Sequence, residues 1–195
     1  MGPRVQETHM PVTIRLARAG DIPSLEVLIP HSARSLQAGY YSPEQIEGAI
    51  GTVFGVDSQL IADGTYFVAE RDGRIVGCGG WSKRQALYGG NRDRAGADPL
   101  LNPACEPARI RAFFIHPDFA RLGIGRQLMT SSETAALQAG FNSIEIVATL
   151  AGEPLYASFG YVVIERFPIV LANGSSMPVV RMAKAYEEPR SKAEG

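Results

Sequence analysis

Residues 116–128 read His116-Pro117-Asp118-Phe119-Ala120-Arg121-Leu122-Gly123-Ile124-Gly125-Arg126-Gln127-Leu128. Before them runs ARIRAFFIH (108–116), an apolar, β-branched and aromatic stretch that reads as a strand ending at Pro117. After them, Leu128, Ser132, Ala135, Ala136 and Ala139 recur at helical spacing, and Gly140 suits a C-cap. The order is therefore strand, glycine-bearing turn, helix. At such a turn successive backbone N–H groups converge, and the helix dipole adds positive potential. Glycine lets the main chain approach closely. The expected guest is a phosphate or pyrophosphate, cradled by Leu122, Gly123, Ile124 and Gly125, with Arg121 or Arg126 as an outer partner.

Three phosphate-binding patterns compete. A Walker loop needs Gly-Lys-Ser/Thr, and Arg126-Gln127 does not supply it. A dinucleotide fingerprint needs a third glycine where Leu128 stands. Glu145 lies twenty residues beyond Gly125, where a ribose-binding acid belongs, but it sits inside the strand IEIVAT (144–149). The third pattern is a coenzyme A turn.

Outward from this centre, TIRLA (13–17) alternates as a strand, and Asp21 caps a helix with Pro23 in its first turn. Pro30 is expected to kink or end that helix. A second helix from Ser42-Pro43-Glu44 should carry Ile46, Ala49, Ile50 and Phe54. YFVAE (66–70) and IVGCGGW (75–81) flank Asp72-Gly73, a hairpin signal. From Lys83 to Pro107 the chain is irregular, and a stretch that long reads equally as a binding-site lid or an insertion. A short helix around 154–159 ends at Gly160, and strands 161–171 and 177–183 flank Asn173-Gly174. The result is mixed α/β with hairpins at both ends. A doubly wound fold would alternate strand and helix more strictly.

Composition bounds the function. The chain has 195 residues, which suits one domain over 11–186, with polar tails at 1–10 and 187–195. Nineteen basic and twenty acidic residues leave a net charge of −1, which argues against bulk binding to nucleic acid or an anionic membrane. No apolar run approaches the roughly 20 residues of a membrane span. The N-terminus lacks the apolar core of a secretory signal, so the expected location is cytoplasmic. Two cysteines and three histidines make neither a disulfide framework nor a dense metal site, and no metal is expected.

The stretch from Arg109 to Tyr161 resembles the GCN5-related N-acetyltransferase (GNAT) superfamily. The pieces that carry the resemblance are ARIRAFFI, HPDFARLGIGRQLM, IEIVAT and LYASFGYV. The family turn reads Gln/Arg-x-x-Gly-x-Gly/Ala. Gly123 and Gly125 match it, while Ala120 stands at the first position and Arg121 is displaced by one. The resemblance implies a mixed, mostly antiparallel sheet of about seven strands with about four helices. It implies acetyl-coenzyme A as cosubstrate, bound by main-chain N–H groups of the turn. It also implies transfer of acetyl to a primary amine of a small molecule or peptide, in a ternary complex, and family members are often homodimers.

The same resemblance assigns roles to residues. Tyr156, in LYASFGY, occupies the place of a phenol beside the coenzyme sulfur, able to protonate a leaving thiolate. Main-chain N–H groups around Phe114 and Ile115 would hold the thioester carbonyl, on a strand that splays from its neighbour. Glu106 is the candidate base, set against a plain loop charge; His116 and a water chain are alternatives. Cys78 reads as a small core residue and Cys105 lacks a placed histidine, so direct transfer is favoured over an acyl-cysteine. Tyr40, Tyr41, Trp81 and Tyr88 are candidates to line the acceptor side. A non-catalytic coenzyme-A sensor and a nicotinamide-dinucleotide enzyme are the rival readings.

Overall fold

A computed structural model describes residues 11–90 and 96–186. The expected tails, and the loop charges Arg92, Asp93 and Arg94, lie outside the described residues. The strands are β1 (Thr13–Leu16), β2 (Tyr66–Arg71), β3 (Arg74–Ser82), β4 (Ala108–Ile115), β5 (Ser143–Ala148), β6 (Val162–Val170) and β7 (Ser176–Ala185). The helices are α1 (Ile22–Leu36), α2 (Pro43–Ala49), α3 (Ser58–Ala62), α4 (Ile124–Gln138) and α5 (Glu153–Ser158). One seven-stranded sheet runs β1-β2-β3-β4-β5-β7-β6, and the β4–β5 contact is its parallel pairing. The mixed, mostly antiparallel α/β architecture read from the sequence is the one observed, with α3 as a fifth helix.

Successive side chains divide the sheet into two faces. Val68 and Phe114 go to the α1–α2 face, with Leu25, Leu28, Ile29 and Ala33. Ala69 and Ile115 go to the other face, with Ile124 and Leu128 of α4.

Two helix boundaries differ from expectation. Pro30 does not end α1, which continues to Leu36. The proline forfeits one helical hydrogen bond, but Ser32 and Ala33 beyond it are buried against the core. Tertiary burial outweighs the local cost. The second helix stops at Ala49 instead of reaching Phe54, because Ile50 is extended and Gly51 takes φ +85°. Phe54 still reaches the core, edge-on to Phe114 at 5.8 Å. The stretch after β3 folds back on itself. Gln85 N donates to Pro99 O, Leu101 N to Lys83 O, and Arg84 grips Asp63 at 2.6 Å.

The decisive feature lies between β4 and β5. They pair only at Ala108↔Ile144 and Arg109↔Glu145, then separate. Glu145 locks this closed end: its carboxylate accepts from Arg109 at 2.8 Å and from Arg181 of β7 at 3.0 Å. Beyond it, β4 carries a bulge, Ala112 and Phe113 together facing Gly79 of β3. A bulge bends and twists its strand, here away from β5. Ala112 adopts φ +57°, a left-handed conformation unusual for alanine, and Tyr66 Oη donates to its carbonyl at 2.8 Å. Gly79 makes the room: a Cβ there would sit 2.7 Å from the Phe113 ring.

Candidate active site

The turn after β4 is built stepwise. Pro117–Phe119 form one 3-10 turn, and His116 Nδ1 accepts from Asp118 N at 3.3 Å. His116 packs against His31 and Phe119, with ring centroids 5.0 and 5.5 Å apart. It is a turn residue on a surface groove, apart from the β4–β5 cleft. Arg121 then takes φ +66° and Gly123 φ +82°, and α4 begins at Ile124 with Gly123 as its N-cap. Alternating right- and left-handed residues turn consecutive N–H groups to one side, and the first N–H groups of a helix have no carbonyl to meet. Gly123 has open space where a side chain would stand, whereas a Cβ on Gly125 would approach Leu155 of α5 to 3.3 Å. Gly123 thus serves backbone conformation and Gly125 close packing of α4 on α5. Arg121 and Leu122 are exposed beside the turn, and Ile124 is buried beneath it. Arg126 reaches across to α5, donating to Ser158 Oγ at 2.9 Å with its guanidinium 5.1 Å above the Phe159 ring.

The cleft opened by the splay holds a cavity of about 70 Å³ that opens to solvent. One wall is the sheet: Ile110, Ala112 and Phe113 of β4 face Ile146, Val147 and Ala148 of β5. Tyr156 of α5 lines it. Its ring is buried, edge-on to Phe113 at 6.3 Å and to Tyr161 at 6.2 Å. A Cβ on Gly152 would meet the ring at 3.0 Å, so that glycine gives the ring its place. Burial pushes the Tyr156 phenol above its ordinary pKa, so it keeps its proton at neutral pH.

The other wall comes from the α1–α2 side and the segment after β3: Gln37, Val53, Phe54, Leu87, Tyr88 and Gly89. Of the four aromatics expected there, Tyr88 lines the cleft. Tyr41 is buried and acts as a brace, donating to Pro178 O and accepting from Leu150 N, both at 2.8 Å. Tyr40 is exposed, and Trp81 packs in a separate core beside Phe141.

The candidate site residues are not all brought together. The turn 121–126 and Tyr156 meet through the α4–α5 contact. Glu106 does not join them. It closes a tight turn, its Oε2 accepting from Asn102 N at 2.6 Å and its own N–H donating to Asn102 O at 2.8 Å. That turn lies ahead of Ala108, at the closed end of the β4–β5 pair. Six chain positions, the last of them in β4, span at most about 20 Å from Glu106 to Ala112. Phe114 and Ile115 both have partners within the chain. The Phe114 N–H faces the buried Cys78 thiol, and the Ile115 N–H donates to Ser32 Oγ at 3.2 Å.

Sequence reasoning missed a buried ion pair beside the cleft. Arg111 meets Asp57, the N-cap of α3, at 2.8 Å, and their side chains are 2% and 0% exposed. Arg111 also donates to Ala86 O at 3.1 Å and to Gly89 O. No pattern in ARIRAFF marks it: Arg111 shares its alternation with Arg109 and Phe113, and only its burial in the structure sets it apart.

A family model for the GNAT acetyltransferase domain matches residues 62–163. The chain belongs to the GNAT acetyltransferase family. That family's chemistry is acetyl transfer, and among its solved structures the fold recurs at low identity. A GCN5-related N-acetyltransferase from Rhodopseudomonas palustris is 21% identical, with 93% of this chain and 99% of that chain covered at TM-score 0.67. The PaiA N-acetyltransferase of Thermoplasma acidophilum, solved with coenzyme A, is 16% identical over 91% and 100% of the two chains at TM-score 0.61. A GNAT acetyltransferase from Brucella melitensis, solved with acetyl-CoA, is 16% identical over 91% and 90% at TM-score 0.55. No curated protein matches the sequence. In this GNAT domain, Glu145 is spent on Arg109 and Arg181, so it is not free for a nucleotide ribose. Among the described residues no helix is long and apolar enough to cross a membrane, and no cluster of His, Cys, Asp and Glu could hold a metal ion.

Proposed function

We propose that this protein transfers the acetyl group of acetyl-coenzyme A directly to a primary amine of a small molecule or peptide. The observation that carries the reading is the parting of β4 from β5 beyond Arg109, with Tyr156 set in the opening. The residues fit the cosubstrate. The left-handed Arg121 and Gly123 shape a main-chain cradle for a pyrophosphate at the start of α4, with exposed Arg121 as its outer cation. Arg126, turned to Ser158 and Phe159, fixes α4 to α5 and so holds Tyr156 at a set distance from the cradle.

Beyond the closed end, the main chain of β4 no longer pairs with β5 and faces the extended arm of the coenzyme. Phe114 and Ile115 would have to release Cys78 and Ser32 to bind the thioester. The proposal therefore gives that place to Ala112 and Phe113, the bulged residues that line the cleft. A deprotonated amine nitrogen attacks the thioester carbon, the C–N bond forms, and the C–S bond breaks with its electron pair on sulfur. The Tyr156 phenol meets that sulfur and supplies the proton; water returns one to the phenolate. Apolar surroundings raise the basicity of a thiolate as well as the pKa of the phenol, so burial alone does not oppose the transfer. The amine proton leaves to water, and Glu106 has no part. Cys78 takes no part either, since burial pushes its thiol up to about 12. The free thiols of Cys78 and Cys105 fit a reducing, cytoplasmic setting.

Thermal denaturation with acetyl-coenzyme A, coenzyme A and NAD tests the reading, followed by an amine screen. Ligand at 100 times its dissociation constant adds about 2.7 kcal/mol. For a domain of this size that is a rise of roughly 5–10 °C. Gly125→Glu, which places a carboxylate in the cradle and crowds Leu155, should remove the shift. A shift with NAD alone, or none with either coenzyme, overturns the proposal. Binding without transfer to any amine identifies a coenzyme-A sensor instead.

A further inference from the structure

The acceptor wall carries a chemical signature of its own. Val53, Phe54, Leu87, Ile169 and Val179 make it apolar. Among the described residues that line the cleft, Arg111 is the one cation, and its guanidinium is committed to Asp57, Ala86 O and Gly89 O. Its charge is neutralised, and its bonds hold the 86–89 segment in place as the wall. A second tie, Gly90 N to Thr52 O at 2.6 Å, fixes the end of that segment. Among the described lining residues, one buried polar atom is left without a partner. Gln37, the C-cap of α1, spends its main chain on Ala33, Tyr40 and Tyr41, and its side chain lines the cleft. Gln37 Oε1 is buried, and no described residue donates to it. A buried acceptor without a donor is costly and calls for a partner.

We infer that the acceptor is a monoamine with an apolar or aromatic body and no carboxylate beside its nitrogen, and that Gln37 Oε1 accepts an N–H from that amine. The inference rests on the amine-acetyltransferase reading above and names its substrate class. A neutral amide oxygen matches an N–H. An α-carboxylate would enter an apolar cleft whose one described cation is already paired, and among the described residues it would lose its hydration without gaining a partner. The apolar wall accepts an alkyl or aryl body in the same way that it accepts its own side chains.

The test compares 2-phenylethylamine with phenylalanine, which share a body and differ by one carboxylate, using the full chain and saturating acetyl-coenzyme A. The expected result is a kcat/KM at least about tenfold higher for 2-phenylethylamine, corresponding to one unpaired charge-bearing group. Gln37→Leu should raise KM for the amine about tenfold while leaving the dissociation constant of acetyl-coenzyme A unchanged. Equal use of phenylalanine, or an unaltered KM in a folded Gln37→Leu protein, overturns the inference. Coenzyme binding with no amine acetylated at all overturns instead the reading on which it stands.

Discussion

Tyr156→Phe removes one oxygen atom and leaves a ring that is 5% exposed in place. That ring is held edge-on by Phe113 at 6.3 Å and Tyr161 at 6.2 Å, contacts that phenylalanine keeps. No described residue hydrogen-bonds the hydroxyl, so its loss breaks no internal bond. Stability should change by no more than about 0.5 kcal/mol, which for a domain of this size is roughly 1–2 °C in Tm. Catalysis should change far more. A positioned proton donor contributes typically 10²- to 10⁴-fold, or about 3–5 kcal/mol of barrier. With acetyl-coenzyme A as donor and an amine from the screen as acceptor, thiol release should therefore slow by at least about a hundredfold. The dissociation constant of acetyl-coenzyme A should stay the same, because the cradle at 121–125 is untouched. The pH dependence has a definite sign. Unfolded, the phenol ionises near pH 10; folded, burial keeps it protonated higher. Its contribution to stability is therefore full below about pH 10 and is lost as alkali carries the pH upward through the folded pKa. Tyr66, Tyr161 and Tyr186, also pushed up by burial, act the same way, so the variant loses only part of this alkaline sensitivity. Turnover within threefold of the parent protein would remove Tyr156 from the chemistry. A fall in Tm of more than about 5 °C would refute the claim that its hydroxyl is idle in folding.

Two further perturbations probe the scaffold. Gly79→Ala puts a Cβ 2.7 Å from the Phe113 ring, and the ring must move by most of an ångström. Overpacking of this kind costs about 1–3 kcal/mol, or roughly 2–12 °C in Tm, and it should lower kcat because Phe113 supports Tyr156. An unchanged Tm would mean that the bulge yields freely. Among the cysteines, Cys105 is exposed while Cys78 is buried with its thiol held near pKa 12. A thiol-specific chromogenic disulfide at pH 8 should titrate one equivalent in the native protein and two in denaturant. Two equivalents in the native state would contradict the burial of β3.

The glycine turn was legible in the sequence because its chemistry is local. A strand that ends at a proline, two glycines and a helical repeat determine one another within a dozen residues. That Tyr156 rather than Tyr161 lines the cleft was suggested only through the resemblance of LYASFGY, since nothing in the periodicity separates the two. The cleft itself was not legible. It depends on Ala112 and Phe113 together facing Gly79, a register shift between strands some thirty residues apart, and alanine carries no mark of a positive φ. The glycine run in VGCGGW was the visible half of that bulge, while the ring that needs the space lies on another strand.

Glu106 shows the opposite case. A carboxylate just ahead of a catalytic strand is near the site in sequence, but a strand is rigid and long. Here the carboxylate lies ahead of the strand and closes its own turn, accepting from Asn102 N. Arg111 shows why charge patterns mislead in a core. Arg109 and Arg111 alternate as if on one polar face, yet Arg111 is buried. Asp57 supplies its counter-charge, from a helix cap over fifty residues upstream. Burial of such a pair is stabilising only when both partners remain and the other donors are satisfied, as Ala86 O and Gly89 O satisfy them here. The consequence for function is geometric. Arg111 ties the bulged strand to Asp57 and to the 86–89 segment across the cleft, so under the proposed function the two halves of the cleft keep one spacing. Direct transfer between two bound substrates needs that fixed spacing more than it needs a dedicated base.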